Sequence, residues 1–321
     1  MTTSVTIDIA GGQVGGAARY ANEVYSYLRR AAHEDVKVIG VRRRLGPAWL
    51  AIREARAVRR SRRVALNNVG FFAPGGERWT LVANPLHFLS AAEMDAQVPS
   101  LRSAMSRQIP VVHQAAKRSD VLVAPSTAMA ERIKTTLPDV ADRVVVRLHP
   151  VSANPVPRRP GGSRILCPVL FASYKNMPDR LAEWLTAVDQ ALDKSVRLVV
   201  TADAAELPAS LAANPRLDLV GRLALAPLCD LWASSRAVFF PSGLESFGFP
   251  LAEARVNGQP VIAQDTPQNR EIAGPALCGY TVGQQDSLLA ATEAALSMRL
   301  EPDPAPFDPD AYFDWMLGDR S

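Results

Sequence analysis

Short apolar runs and helix-period segments take turns along almost the whole chain. That order argues for parallel sheets with helical crossovers, because parallel neighbours need a long return connection and usually make it as a helix. Strand signals fall at residues 5–10, 36–41, 80–83, 121–124 and 144–148, and helix signals at 19–30, 49–60, up to 118, and 128–136. A stretch at 154–162, with three prolines and two glycines, interrupts the pattern. The alternation then restarts. Strands are predicted at 164–171, 196–201, 217–220, 238–241 and 260–263, and helices at 180–192, 228–236, up to 257, and 287–298. At ~100–200 residues per domain, the 321 residues suit two α/β domains, 1–155 and 156–300. A tail at 301–321 carries Tyr312, Phe313 and Trp315.

The basic residues are 31 Arg and 5 Lys, for a net charge of +4. An arginine-for-lysine bias of this kind reflects coding composition and does not point to a nucleic-acid partner. No apolar run reaches the ~18–20 residues of a membrane span. The first ten residues show no basic leader followed by an apolar stretch, which argues against a signal peptide. Cys167, Cys229 and Cys278 lie far apart, which excludes a disulfide scaffold or Cys-rich zinc site and fits a cytoplasmic location.

Phe240-Pro-Ser-Gly-Leu-Glu-Ser-Phe-Gly-Phe-Pro-Leu-Ala-Glu-Ala254 is the most informative stretch. An apolar strand ends at Pro241 and a helix follows, with Ser246 as the expected N-cap, Pro250 in the first turn and Asn257-Gly258 as the C-cap. A strand–loop–helix turn at the carboxyl end of a parallel sheet is where open α/β sheets bind ligands. Backbone amides around Phe247, Gly248 and Phe249 suit an anion at a helix N-terminus, and Gly248 permits close approach. Glu245 and Glu253 can accept hydrogen bonds from pairs of sugar hydroxyls. From residue type alone, both are equally readable as solvated residues favoured by the helix dipole.

The spacing Glu245, seven residues, Glu253 around Phe247-Gly248-Phe249 resembles the signature of the retaining glycosyltransferase family 4 (group 1), and the match runs from about 240 to 280 through Gly258-Gln-Pro-Val-Ile-Ala263 and Arg270-Glu-Ile-Ala-Gly274. The resemblance implies the GT-B fold, two Rossmann-like doubly wound domains facing each other across a cleft, with the tail crossing back to the first. It implies hexosyl or deoxyhexosyl transfer from a nucleotide-diphosphate donor to a glycan, lipid-linked or natural-product acceptor. By the same resemblance Glu253 would hold the donor ribose and Glu245 the transferred sugar. Ser246 and the Phe247–Phe249 amides would touch sugar and phosphate. Lys175 would neutralise the leaving diphosphate, Gly15 and Gly16 would lie near the diphosphate and acceptor, and Leu223 near the base. No cofactor and no metal are expected, since no Asp-x-Asp occupies a strand-end position.

Two positions depart from the family pattern. Leu170 stands where a second diphosphate-binding Arg is usual, with Arg222 as a substitute. Asn84 stands where a sugar-binding His is usual, with His87 one turn beyond; either residue fits the role. These departures motivate an alternative, a non-catalytic nucleotide-sugar-binding homologue that partners an active transferase. A dinucleotide oxidoreductase fits less well, since Gly11-Gly-Gln-Val-Gly-Gly16 lacks Gly-x-Gly-x-x-Gly spacing. His113 reads as a helix residue, and His33 and His149 as surface or packing residues. The arginine-rich segment 42–63 contains an amphipathic helix with Trp49. It suits either peripheral contact with an anionic membrane at the inner face or a core-facing stripe with a solvated basic face.

Overall fold

A computed structural model describes residues 4–11, 15–31, 35–57, 61–159, 162–169 and 171–318. His33, Leu170, Arg59, Arg60 and the centre of the Gly-rich loop at 12–14 lie outside the described residues. The chain divides into two compact units. The first comprises the described residues up to Pro150, the short segment Glu245–Phe247, and those from Phe307 onward; the second comprises Val151–Leu244 and Gly248–Pro306. The division thus falls at 150/151 rather than 155/156, and residues 301–306 stay with the second unit.

The first unit contains β1 (Val5–Asp8), α1 (Gly15–Ala31), β2 (Val36–Ile39), α2 (Pro47–Arg56), β3 (Arg62–Ala65), β4 (Arg78–Leu81), α3 (Ala91–Asp95), α4 (Pro99–Arg118), β5 (Val121–Ala124), α5 (Thr127–Thr136) and β6 (Val144–Val146). Its sheet is parallel in the order β2-β1-β3-β4-β5-β6, so the winding reverses between β1 and β3. All four residues of β1, β3 and β5 are buried, as expected for strands covered on both faces. Helix α1 buries Tyr20, Ala21, Val24 and Tyr27, one stripe at helical spacing.

The second unit contains β7 (Arg164–Cys167), α6 (Met177–Val188), β8 (Arg197–Val200), α7 (Ala209–Ala212), β9 (Leu217–Leu219), α8 (Leu225–Ser234), β10 (Ala237–Phe240), α9 (Phe249–Val256), β11 (Val261–Gln264), α10 (Pro267–Ala273), β12 (Leu277–Tyr280) and α11 (Gln285–Ser297). Its parallel sheet runs β12-β11-β10-β7-β8-β9. Counted from its own first strand this is the Rossmann order 3-2-1-4-5-6, with the reversal between β7 and β10. Those two strands pair directly, Ala237 with Ile165 and Val238 with Leu166. Trp184, Phe239, Leu181 and Tyr280 anchor the core on one side of this sheet.

The tail folds as α12 (Pro309–Leu317) in the first unit. Tyr312, Phe313, Met316 and Leu317 are buried, and the Tyr20 hydroxyl donates to that of Tyr312 at 3.0 Å. Asp308-Pro-Asp310, an Asp-x-Asp triplet, serves this helix. Asp308 caps it, and Asp310 pairs with Arg30 at 2.6 Å.

One sequence expectation changes here, and of two alternatives one is favoured. Strand β3, Arg62-Arg-Val-Ala, reads as part of a basic surface segment, yet all four residues are buried. Arg62 pairs with Glu77 at 2.9 Å, donates to the carbonyls of Met316 and Gly318, and lies over the Trp79 ring; Arg63 donates to the Gly75 carbonyl. In the amphipathic helix α2, Trp49 and Arg53 turn inward. Arg53 pairs with Asp8 at 2.8 Å with both side chains wholly buried, and the Trp49 indole N–H donates to the same carboxylate at 3.1 Å. Asn67 also donates to Asp8, at 3.0 Å. The membrane reading therefore loses Trp49 and Arg53, and the core-facing stripe is what the structure shows. Among the described residues no helix is long and apolar enough to cross a membrane.

Candidate active site

In a doubly wound sheet, ligands bind beyond the carboxyl ends of the strands where the winding reverses, because the connections on either side leave in opposite directions. In the second unit those strands are β7 and β10. The loop after β7 leads to Lys175, and the loop after β10 leads to Gly248 and Glu253.

The two helices that follow begin alike. Asn176, with φ +49°, precedes α6, which opens Met177-Pro178; Gly248, with φ +87°, precedes α9, which opens Phe249-Pro250. Neither N-cap residue bonds its helix through a side chain of its own. In both, the proline sits early, where its missing N–H removes no intrahelical bond. Helix N-termini carry partial positive charge and outward-pointing amides, so this crevice is suited to a phosphate.

Gly248 is required twice over. Its φ is left-handed, and a Cβ there would lie 3.0 Å from Leu251 and 3.1 Å from the Phe240 ring. The cap assignment changes accordingly: Gly248, not Ser246, occupies the N-cap of α9. The C-cap follows expectation, with Asn257 closing the helix and Gly258 at φ +60°. Glu253 lies on the second turn of α9 and is half-buried. Lys175 is also half-buried, its ammonium 5.9 Å from the centre of the Tyr174 ring.

Leu223 is half-buried, two residues after Gly221, whose φ of +66° turns the chain. Arg222 pairs with Glu206 at 2.6 Å. Its guanidinium is thus committed to a neighbour, which weakens its case as a stand-in for the absent Arg at 170.

The first unit gathers a different set. Glu245 is half-buried, Ser246 buried, and Phe247 wholly enclosed. The Ser246 hydroxyl donates to the Ala83 carbonyl at 2.7 Å, and the Ser126 hydroxyl donates to the Ser246 carbonyl at 2.7 Å. The Ser246 hydroxyl thus spends its one proton on the Ala83 carbonyl and keeps only acceptor capacity for a ligand. The Phe247 ring meets His149 edge-on at 4.9 Å and Phe307 at 6.1 Å. Gly15 and Gly16 open α1 exposed, Gly15 with φ +60°.

Asn84 follows β4 and caps a single 3₁₀ turn, Pro85–Phe88, by accepting from Leu86 N–H. His87 lies within that turn and is buried. Its Nε2 is 3.2 Å from Gln108 Oε1 and 3.4 Å from Asn84 Nδ2, and burial holds its imidazole below the ordinary histidine value. The alternatives left open by the sequence are thereby separated: Asn84 is the half-buried group and His87 stands behind it. Asn68, left-handed at φ +67°, accepts from the N–H groups of both Ala83 and Asn84. Asn68, Gln108 and Ser126 were not singled out by sequence reasoning. Ser126 sits just before a predicted helix, an N-cap signature, and it does cap α5 through Met129 N–H. Its second bond spans 120 residues and has no sequence signal.

His149 is buried between Tyr20 and Phe247, each 4.9 Å from its ring. Burial lowers its pKa to about 3. The folded state thus keeps the ring neutral where an unfolded chain would protonate it near pH 6.5. The stabilisation is fully present above about pH 6.5 and is lost as pH falls toward 3, because the unfolded state then binds the extra proton. Urea unfolding of wild type and His149→Asn across pH 4.5–7.5 should show a stability difference that shrinks on acidification, approaching about 1.4 kcal/mol per pH unit. Parallel profiles would remove histidine as the cause.

Among the described residues, no cluster of His, Cys, Asp and Glu is arranged to hold a metal.

Residues 165–298 match the family profile described as group 1 glycosyl transferases. No curated protein matches the chain by sequence. Among solved structures, WaaG, a glycosyltransferase involved in lipopolysaccharide biosynthesis, superposes with a TM-score of 0.68 at 15% identity, over 98% of this chain and 100% of its own. Sucrose-phosphate synthase from Thermosynechococcus elongatus gives 0.64 at 13% identity, over 98% and 94%. Trehalose-6-phosphate synthase, in work on enzymatic glycosyl transfer with retention, gives 0.60 at 8% identity, over 99% and 98%. Two parallel doubly wound units of this order define the GT-B fold of glycosyltransferases. The likeness to the group 1 glycosyl transferases is thus carried by the second unit.

Proposed function

We propose that the protein is a retaining, metal-independent glycosyltransferase that moves a hexosyl or deoxyhexosyl group from a nucleotide-diphosphate donor to a glycan, lipid-linked or natural-product acceptor in the cytoplasm. The observation that carries the reading is the pair of helix N-termini, α6 and α9, after the two strands at the reversal point of a Rossmann-ordered sheet. That arrangement suits a diphosphate. Lys175 and Glu253 follow the same two strands, and the family match covers both.

In this reading the bond between the anomeric carbon and the β-phosphate oxygen breaks, and the acceptor oxygen bonds to that carbon on the same face. The acceptor proton passes to the departing phosphate, and a nucleoside diphosphate leaves. Lys175 and the α6 and α9 amides offset the charge that develops on the leaving group. Glu253 holds the donor ribose. Glu245 and Asn84 hold the transferred sugar, with His87 supporting Asn84. The likeness to trehalose-6-phosphate synthase supports retention.

Thermal unfolding in the presence of UDP, GDP, dTDP, their glucose, mannose and rhamnose conjugates, NAD and NADP tests the reading. A donor at about 100 times its Kd should add about 2.7 kcal/mol of stability to the wild type. At the same donor concentration Glu253→Ala should lower that gain by about 1 kcal/mol or more. Stabilisation by the dinucleotides alone would overturn the proposal. Stabilisation by a nucleotide sugar without turnover would favour a non-catalytic binding homologue.

A further inference from the structure

We infer that Ser126 and Ser246 are positioning residues that hold Glu245 beside Asn84; the inference rests on the transferase reading above. Ser246 immediately follows Glu245, and Ala83 immediately precedes Asn84. The 2.7 Å bond from the Ser246 hydroxyl to the Ala83 carbonyl therefore joins the two candidate sugar-binding residues through one peptide step on each side. Consecutive Cα atoms lie about 3.8 Å apart, so the Cα atoms of Glu245 and Asn84 cannot move far from each other while that bond stands.

Each partner is itself held. Ala83 is gripped at both ends, its N–H by Asn68 Oδ1 at 2.7 Å and its carbonyl by Ser246. Ser246 is held through its carbonyl by Ser126, and Ser126 Oγ also accepts from Met129 N–H at 3.1 Å, which ties the loop to the first turn of α5. Phe247 closes the arrangement between His149 and Phe307. Both serines are buried, where a hydroxyl is retained only with a partner. Their partners lie 163 and 120 residues away in sequence, so neither of these two bonds serves the local helix or strand. What they set is the register of the Glu245 loop against the turn carrying Asn84. Displacing a group that contacts the reacting sugar by about 1 Å can lower turnover on the order of 100-fold.

The test uses the nucleotide sugar that gives the largest thermal shift, with water as acceptor and nucleotide release as the readout. Ser246→Ala should lower kcat by about 10- to 100-fold while donor Kd, measured by titration, stays within about twofold. In a Glu245→Ala background the same change should add less than about twofold, because the group it positions is gone. Ser126→Ala should show the same dependence on Glu245. Undiminished kcat, a donor Kd that rises with the loss, or full multiplicative loss in the Glu245→Ala background would each overturn the role.

If the wild type turns over no donor, the transferase reading fails by itself. Hydrogen exchange then decides the coupling: Ser246→Ala should speed exchange at 245–248 and at 83–84 together. Acceleration confined to 245–248, or none at either place, overturns it.

Discussion

Arg53→Ala is expected to lower the stability of the first unit by about 3–5 kcal/mol, the range found when one partner of a buried ion pair is removed. Asp8 would then stay buried without its cation. Its remaining donors, the Trp49 indole, Asn67 and the Ala10 amide, are neutral. The pair lies at the carboxyl end of β1, beneath the start of the Gly-rich turn. A Cβ at Gly40 would come within 2.3 Å of the Asp8 carboxylate, so the carboxylate has no room to turn away. Hydrogen exchange of β1 and β3 amides reads the loss for that unit alone. The double change Asp8→Leu with Arg53→Met should cost less than Arg53→Ala, since no charge is left stranded. A cost below about 1 kcal/mol for Arg53→Ala would show that water reaches Asp8.

Glu253→Ala and Glu245→Ala should each lose about 1–3 kcal/mol, the worth of a hydrogen bond to a charged group. At 1.36 kcal/mol per tenfold this is roughly 5- to 150-fold. The two losses should differ in kind. Glu253→Ala removes a contact to the donor that is present in ground and transition states alike, so it should raise KM and leave kcat nearly unchanged. Glu245→Ala removes a group from the side of the transferring sugar, where positive charge grows as the leaving group departs. It should lower kcat and kcat/KM together. Steady-state donor kinetics separate the two patterns. Wild-type kinetics in both variants would remove the Glu245–Glu253 segment from the site.

Much of the architecture was legible in residue order. Strands such as Val121-Leu-Val-Ala124 and Ala237-Val-Phe-Phe240 are apolar throughout, as strands covered on both faces must be, and the helices between them show a buried stripe. Gly258 after Asn257 marked a helix end because a left-handed residue is cheap only for glycine. Glu245 and Glu253 stood out by their place around a helix start, and their roles, with that of Lys175, came from the resemblance to a family motif, which is local in sequence. Strand β12, Leu277-Cys-Gly-Tyr280, left a weak signal because it is short, contains Gly279 and forms a sheet edge.

Ser246 shows where local reasoning stops. By sequence it is a good N-cap, but the helix begins at Phe249, Gly248 takes the cap, and the Ser246 hydroxyl donates to the Ala83 carbonyl instead. His87 and Asn84 were equivalent until the 3₁₀ turn buried one against Gln108 and left the other half-exposed. Arg62 and Arg63 read as surface charge until Glu77, the Trp79 ring and the carbonyls of Gly75, Met316 and Gly318 received them. The sequence by itself determined the kinds of element, their alternation and the motif after β10, because hydrophobic period, capping and turn chemistry act over a few residues. Tertiary structure alone decided the strand order, the membership of Glu245–Phe247 in the first unit and the partners of the buried polar groups. Those depend on bonds between residues tens to hundreds of positions apart, and such bonds leave no mark on either residue's neighbours in the chain.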